Sequence, residues 1–167
     1  MEPRWINPDG IWVQELEGEF DGPIPIFRRQ LYNVRLDRYH PLTLVDHDGI
    51  KWQPDRVMSR INFGSIFWPV NMIPGFRPTS HKRPTAFHDC GYLYHGLYRE
   101  VIPESEVFEF VPLERDEVDS ICLIDAMGAD GTPVVGRVYD IAVNYGGKRS
   151  WERSYDPKLR IKYGYSV

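Results

Sequence analysis

A histidine and an aspartate lie next to each other in the segment RPTAFHDCGYLYHGLYRE, which runs from Arg83 to Glu100. Consecutive residues of a helix point about 100° apart, so His88 and Asp89 cannot contact each other well but can border one small cavity. Tyr92 follows His88 by four residues and therefore lies one turn further along the same face. A base, a hard oxygen ligand and a phenol thus surround one point, which makes this segment a candidate reaction centre, metal site or structural polar pair.

The following helix supplies a partner for the histidine. A histidine general base needs a group that fixes its tautomer, normally a carboxylate on the opposite ring nitrogen. In RDEVDSICLIDAM, Asp119 shares a face with Cys122 and Ala126, at i, i+3 and i+7. Because these residues are small, another helix can lie close to that face. We therefore expect Asp119 to be the buried carboxylate and Asp125 to lie on a more polar flank.

Strands are predicted in the first third of the chain, which must support this site. Three segments there read as strands: Ile11 to Leu16, Ile24 to Leu36 and Arg56 to Phe63. Leu42 to Trp52 predicts a hairpin, because two apolar runs flank the turn sequence DHDG, in which Gly49 can take a positive φ. The pair His47–Asp48 lies in that turn, and we expect it to be solvated.

The site segment itself predicts a helix. Pro84 suits the first turn of a helix, and apolar residues then recur at three- and four-residue spacing as far as Leu97. Gly91 and Gly96 weaken such a helix by up to about 1 kcal/mol each relative to alanine. Glycine at these positions therefore suggests that another element approaches closely.

Two more helices are predicted further along. A loop that contains Pro103 and Pro112 comes first, and a second helix then runs from about Glu114 to Met127. The third helix runs from Pro133 to about Tyr145, where the sequence GG is expected to end it.

The predicted fold class is α+β, with a short β-rich N-terminal part packed on a C-terminal three-helix unit. We expect residues 1–167 to form a single domain, because this length suits one hydrophobic core. Residues 1–63 are the β-rich part, 64–151 the helical part with the His-Asp site, and 152–167 a tail.

Composition and charge exclude several classes of function. The chain is 42% hydrophobic with a net charge of −4, so we expect a globular protein that does not bind nucleic acid. No signal peptide or membrane span is recognisable, which predicts synthesis in the cytosol and no integral membrane segment. Cys90 and Cys122 lack metal-binding spacing, so we expect them to be small buried thiols.

The sequence HDCGY, with an aspartate on the next helix, resembles the His-Asp-x-x-Tyr signature of secreted and parvoviral phospholipases A2. In that superfamily the histidine activates a water that attacks an ester carbonyl. The resemblance assigns this role to His88 and calcium binding to Asp89. It makes Asp119 the carboxylate that orients the histidine, with Tyr92 bonded to that carboxylate.

A second resemblance covers the chain from about Gln53 to Trp151. Four segments are similar, in order and spacing, to a family of phage and prophage proteins, domain of unknown function 1353: INFGSI, AFHDCGY, RDEVDSICLIDAM and AVNYGGKRSW. The resemblance implies a phage-encoded, late-gene or virion-associated protein, made in the host cytoplasm and carried into the virion. Its expected partners are phage structural proteins or phospholipid.

The chain departs from both patterns at the metal. The family's Thr-Asp is Ile61–Asn62 here, and the glycine-rich calcium loop of the phospholipases is absent. Calcium normally takes six to eight oxygens, and Asp89 and Asn62 are the predicted ligands.

Three interpretations of the site remain open. It is the centre of a lipid ester hydrolase, or a buried network that only pins two helices together in a structural subunit of a tail or capsid. The third is a nucleotide phosphohydrolase of the His-Asp metal type, for which His40 and Asp119 are candidate additional ligands.

Overall fold

The computed structural model describes residues 1–21, 29–61 and 81–154, which form two antiparallel sheets and a group of helices. The strands of these ranges are β1 (Arg4–Ile6), β2 (Ile11–Asp21), β3 (Arg29–Leu36), β4 (Thr43–Val45), β5 (Lys51–Gln53), β6 (Val57–Ile61), β7 (Gly96–Glu100) and β8 (Phe108–Pro112). One sheet has the order β1-β4-β5-β7-β8 and the other the order β2-β3-β6. Most of the helical residues lie in the C-terminal half. The predicted α+β class is therefore confirmed.

The predicted hairpin forms between β4 and β5, and side chains fix its turn. Gly49 has a φ of +85°, as the sequence required. One carboxylate oxygen of Asp46 accepts hydrogen bonds from the backbone N–H groups of Asp48 (2.9 Å) and Ile50 (2.8 Å). The other oxygen accepts one from Nε1 of Trp52 at 2.7 Å. The turn is consequently tied both to its own backbone and to the buried strand β5.

The loop predicted around Pro103 and Pro112 is instead the hairpin β7–β8, and this part of the prediction is wrong. Strand β7 pairs with β5, with Trp52 opposite Arg99, so the hairpin belongs to the sheet of the N-terminal strands. Gly96 permits the close pairing of β7 with β8, since a Cβ there would lie 2.4 Å from the carbonyl oxygen of Val111. The decisive contact joins residues far apart in sequence, which local periodicity does not report.

Helix α1 (Lys82–Tyr94) carries the His-Asp segment. Pro84 lies in its first turn, where a missing N–H costs no hydrogen bond. The helix ends at His95, whose left-handed backbone (φ 52°) lets its N–H donate to the carbonyl of Gly91. The predicted stripe therefore stops before Leu97, which is buried in β7 instead.

The second predicted helix has three consecutive parts: α2 (Arg115–Asp119), a π-helical segment (Ser120–Asp125) and α3 (Ala126–Ala129). Glu117 caps its start, because its side chain accepts the backbone N–H of Glu114 at 2.7 Å. In the π-helical segment the N–H of Ala126 donates to the carbonyl of Ile121, five residues earlier. One residue more than in an α-helical turn is thus inserted directly after Asp119.

Helix α4 (Pro133–Ser154) is longer than predicted, because the GG sequence does not end it. Gly136 and Gly147 lie at close contacts inside the helix rather than at its end. A Cβ on Gly136 would lie 2.1 Å from the carbonyl oxygen of Leu123, and one on Gly147 would lie 2.8 Å from the hydroxyl of Tyr92. Both glycines let α4 pack closely against its neighbours.

The main core lies between the sheets and the helices. Its most deeply buried members come from β3, from β4 and the residue before it, from β6, α1 and β7, and from the helix after β8: Val34, Leu42, Leu44, Met58, Ala86, Phe87, Leu97, Val118, Cys122 and Ala126. Within the three described ranges, no helix combines the length and the apolar character that crossing a membrane requires.

Candidate functional site

His88 and Asp119 meet between α1 and α2, as predicted. Nε2 of His88 lies 3.4 Å from Oδ1 of Asp119, and the two residues are 8% and 2% exposed. This distance suits an ion pair but is longer than a good hydrogen bond, and Nε2 has no hydrogen-bond partner in the part of the chain that the structure describes. The two side chains therefore face each other at a separation a few tenths of an ångström longer than a hydrogen bond.

Tyr92 is bonded to the same carboxylate. Its hydroxyl donates to Oδ1 of Asp119 at 3.0 Å, with Oδ2 at 3.3 Å. The rings of His88 and Tyr92 lie on one face of α1 with centroids 4.2 Å apart. Arg115, one turn before Asp119, places Nε 3.9 Å from Oδ2. Asp119 is thus held from three directions, which fixes the orientation of its carboxylate.

Close packing of the two helices brings the dyad together. A Cβ on Gly91 would lie 2.4 Å from Cγ1 of Val118, the residue before Asp119. Gly91 therefore allows α1 and α2 to approach more closely than alanine would. The sequence predicted that another element approaches closely at Gly91, and the contact with Val118 confirms this prediction.

Helix α4 covers the tyrosine side of the site. Trp151 packs edge-on against Tyr92, with centroids 5.1 Å apart. It also stacks on His95, with centroids 3.7 Å apart and planes 8° from parallel, and its carbonyl lies 3.0 Å from Nε2 of His95. The last turns of α4 are consequently fastened to the end of the helix that carries His88.

Burial and charge act on the ionisable groups in opposite directions. Burial alone would lower the pKa of His88, but the carboxylates of Asp119 and Asp89 favour the imidazolium, and its pKa is raised. Burial, helped by the charge of Asp119, raises the pKa of Tyr92, which keeps the phenol a hydrogen-bond donor. Cys90 and Cys122 are free and buried, as the sequence predicted, and burial raises the pKa of both thiols, which favours their neutral form.

The predicted metal ligands are Asp89 and Asn62. Oδ1 of Asp89 lies 3.9 Å from Nδ1 of His88, on the opposite side of the imidazole from Asp119. Asn62 lies outside the described residues. Within residues 1–21, 29–61 and 81–154, no group of three or more histidines, cysteines and acidic residues is placed to hold a metal ion. Calcium binding by Asp89 and Asn62 therefore stays a prediction.

The same finding bears on the third interpretation. A metal-dependent phosphohydrolase would need His40 and Asp119 to join His88 and Asp89 around one ion, and all four belong to the described residues. They do not form such a group, and His40 is exposed.

A second His-Asp pair was missed. Nδ1 of His47 lies 3.0 and 2.9 Å from the two carboxylate oxygens of Asp125. The side chain of Asp125 is 4% exposed, so the prediction that it lies on a polar flank is wrong. The side chain of His47 is 57% exposed, so it is solvated as predicted except at the edge that faces Asp125. The cause is the π-helical segment, whose inserted residue shifts later side chains around the helix axis. No pattern in the sequence marks that insertion.

Fold and site define an α+β protein with a buried His-Asp-Tyr network between two helices. Comparison with protein-family models, with curated proteins and with solved structures found no match.

Proposed function

We propose that the protein is an ester hydrolase of the phospholipase A2 type, in which His88 is the general base. The observation that supports this most directly is the sharing of one carboxylate. Asp119 is 2% exposed and accepts a hydrogen bond from the Tyr92 hydroxyl. It also faces Nε2 of His88, so Nδ1 lies on the opposite edge of the imidazole, where it can act as the base.

In the proposed reaction, Nδ1 of His88 takes a proton from water as the water oxygen attacks the ester carbonyl carbon. Asp119 stabilises the imidazolium that forms, because its carboxylate faces Nε2–H. The ester C–O bond then breaks, and the proton on Nδ1 passes to the leaving alkoxide. The products are a fatty acid and an alcohol, and no group other than water is consumed.

The proposed substrate is a phospholipid, in keeping with the resemblance of the His-Asp-x-x-Tyr segment. The proposed setting is a phage late-gene product or a component of the virion. The chain departs from the related patterns at the expected calcium ligands, and Asp89 is the one predicted ligand that lies within the described residues. The assay is therefore run with and without calcium.

A second candidate is a non-catalytic subunit of a phage tail or capsid. It is favoured by the burial of the network, since His88 is only 8% exposed and Trp151 packs on Tyr92. A polar network that joins α1 and α2, covered by the Trp151 ring of α4, stabilises the packing of these helices without any substrate.

Hydrolysis of phospholipid vesicles, with and without calcium, separates the two candidates. Wild type is compared with His88→Ala and with His40→Ala, a matched control that removes an exposed imidazole. Loss of a general base lowers the rate by about 10²- to 10⁴-fold. Fatty-acid release by wild type and His40→Ala, lost in a folded His88→Ala, supports the hydrolase.

The opposite result is equally informative. If no protein releases fatty acid and His88→Ala unfolds at lower urea concentration than His40→Ala, the network is a structural pin. Circular dichroism of each variant shows whether it is folded before either conclusion is drawn.

A further inference from the structure

A carboxylate lies buried on the far side of the helix that carries Asp119. Asp125 ends the π-helical segment, and its side chain is 4% exposed. Burying a charged carboxylate is costly unless an opposite charge or hydrogen bonds compensate. His47 supplies this compensation, with Nδ1 close to both carboxylate oxygens.

The turn that presents His47 is rigid. The side chain of Asp46 binds two backbone N–H groups of the turn and the indole of Trp52. The amino group of Met1 donates to the carbonyl of His47 at 2.7 Å, so the chain start is attached to the same turn. These hydrogen bonds therefore hold the backbone of His47 in place beside the helix that carries Asp125.

The helix that meets the His47 imidazole departs from α-helical geometry at the point of contact. The segment Ser120–Asp125 is π-helical, a conformation that is rare and usually kept only where other contacts favour it. If this segment were α-helical instead, its turn would contain one residue fewer. Asp125 would then lie at another angle around the helix axis, away from His47. The π-helical segment begins directly after Asp119, the residue that faces His88.

We propose that the His47–Asp125 pair is a pH-sensitive device that holds the π-helical register of the Asp119 helix. The proposal does not require His88 to act as a base, and it holds equally for a structural protein.

Charges on several elements surround the pair. Asp125 faces His47 from the π-helical segment, Asp48 places Oδ2 3.4 Å from Nε2 of His47, and Asp46 adds a third carboxylate on the turn. The amino group of Met1 lies on the carbonyl side. The hydrogen bond and the charge of Asp125 are the largest causes that raise the pKa of His47. Burial raises the pKa of Asp125, although His47 opposes this. The ion pair thus exists between these two raised pKa values and weakens as the pH rises through that of His47.

Nuclear magnetic resonance of the full chain tests the proposal. The backbone amides from Asp119 to Ala126 are followed through a pH titration, together with the ring protons of His47 and His88, which report the two midpoints separately. The same titration is run on His47→Asn and on His40→Asn, which removes an exposed imidazole from the preceding loop.

The expected result is a set of amide shifts across Asp119 to Ala126 with the midpoint of His47. These shifts are absent in His47→Asn and retained in His40→Asn. The proposal is overturned if the amides follow only the midpoint of His88, or if their shifts persist in His47→Asn. In neither case does the result depend on whether vesicles are hydrolysed.

Discussion

Replacing Gly91 with alanine tests the close packing that brings His88 to Asp119. The added Cβ would lie 2.4, 3.2 and 3.4 Å from Cγ1, Cγ2 and Cβ of Val118. Carbon atoms in contact are normally about 3.5–4.0 Å apart, so the nearest pair is too close by more than 1 Å. Val118 is fully buried, and valine in a helix has one strongly preferred rotamer. The side chain therefore cannot simply turn away.

Two effects of opposite sign must be weighed. Overpacking a core typically costs about 1–3 kcal/mol. Alanine is favoured over glycine inside a helix by about 0.8–1.0 kcal/mol. Because the overlap is severe, we expect the upper part of the first range, and hence a net loss of about 1–2 kcal/mol in the free energy of unfolding of Gly91→Ala.

A double-mutant cycle with Val118→Ala isolates the contact. Val118→Ala alone should lower the free energy of unfolding by about 1.5–3 kcal/mol, because it removes buried apolar surface. In that background the Gly91→Ala change should become neutral or stabilising, since the atoms it would strike are gone. The two changes should therefore couple by about 1–3 kcal/mol.

Urea denaturation of wild type, the two single variants and the double variant measures this coupling. Gly128→Ala is the matched control, because among the described residues its Cβ would meet only Cγ of Pro3, at 3.8 Å, which is an ordinary contact. We expect it to be neutral or stabilising. Equal costs of Gly91→Ala with and without the valine would refute the packing argument.

Three further predictions concern the tyrosine side of the site and the second His-Asp pair. Tyr92→Phe removes a donor to the buried carboxylate of Asp119 and should lower the free energy of unfolding by about 1–3 kcal/mol in urea denaturation; an unchanged value would mean that the hydrogen bond contributes nothing net. Gly147→Ala should lower the melting temperature despite the better helix propensity of alanine, because its Cβ would lie 2.7 Å from Cγ1 of Val143 and 2.8 Å from the Tyr92 hydroxyl. The loss should be smaller in Tyr92→Phe, which lacks the second of these contacts; the same loss in both backgrounds would contradict the contact with the hydroxyl. The raised pKa of His47, caused first by its hydrogen bond to Asp125, gives a stabilisation that is complete below the ordinary value of 6.5 and lost as the pH rises through the folded value. Urea denaturation across that range should show a smaller fall in stability for His47→Asn than for wild type, and an identical fall would exclude the pair as its source.

The sequence alone predicted those features that depend on neighbouring residues. The turn sequence DHDG contains the glycine and the aspartates that a tight turn requires, and the β4–β5 hairpin formed there. Pro84 and the three- and four-residue spacing after it predicted α1, and with it the common face of His88 and Tyr92. The small-residue face of the next helix predicted that Asp119 would be buried against them. In each case the information lies within a few residues of the feature, because backbone preference and helical periodicity are local properties.

Only the tertiary structure decided the rest. Strand β7 exists because Trp52 and Arg99 come opposite each other, forty-seven positions apart in the chain. Helix α4 continues through the GG sequence, where Gly147 lies close to the Tyr92 hydroxyl. Asp125 faces inward because one extra residue in the preceding π-helical turn moves it there, where the β4–β5 turn supplies an imidazole. Each of these outcomes depends on contacts between segments that are distant in sequence, and the free energy of such contacts outweighs the local preferences from which the sequence could be interpreted.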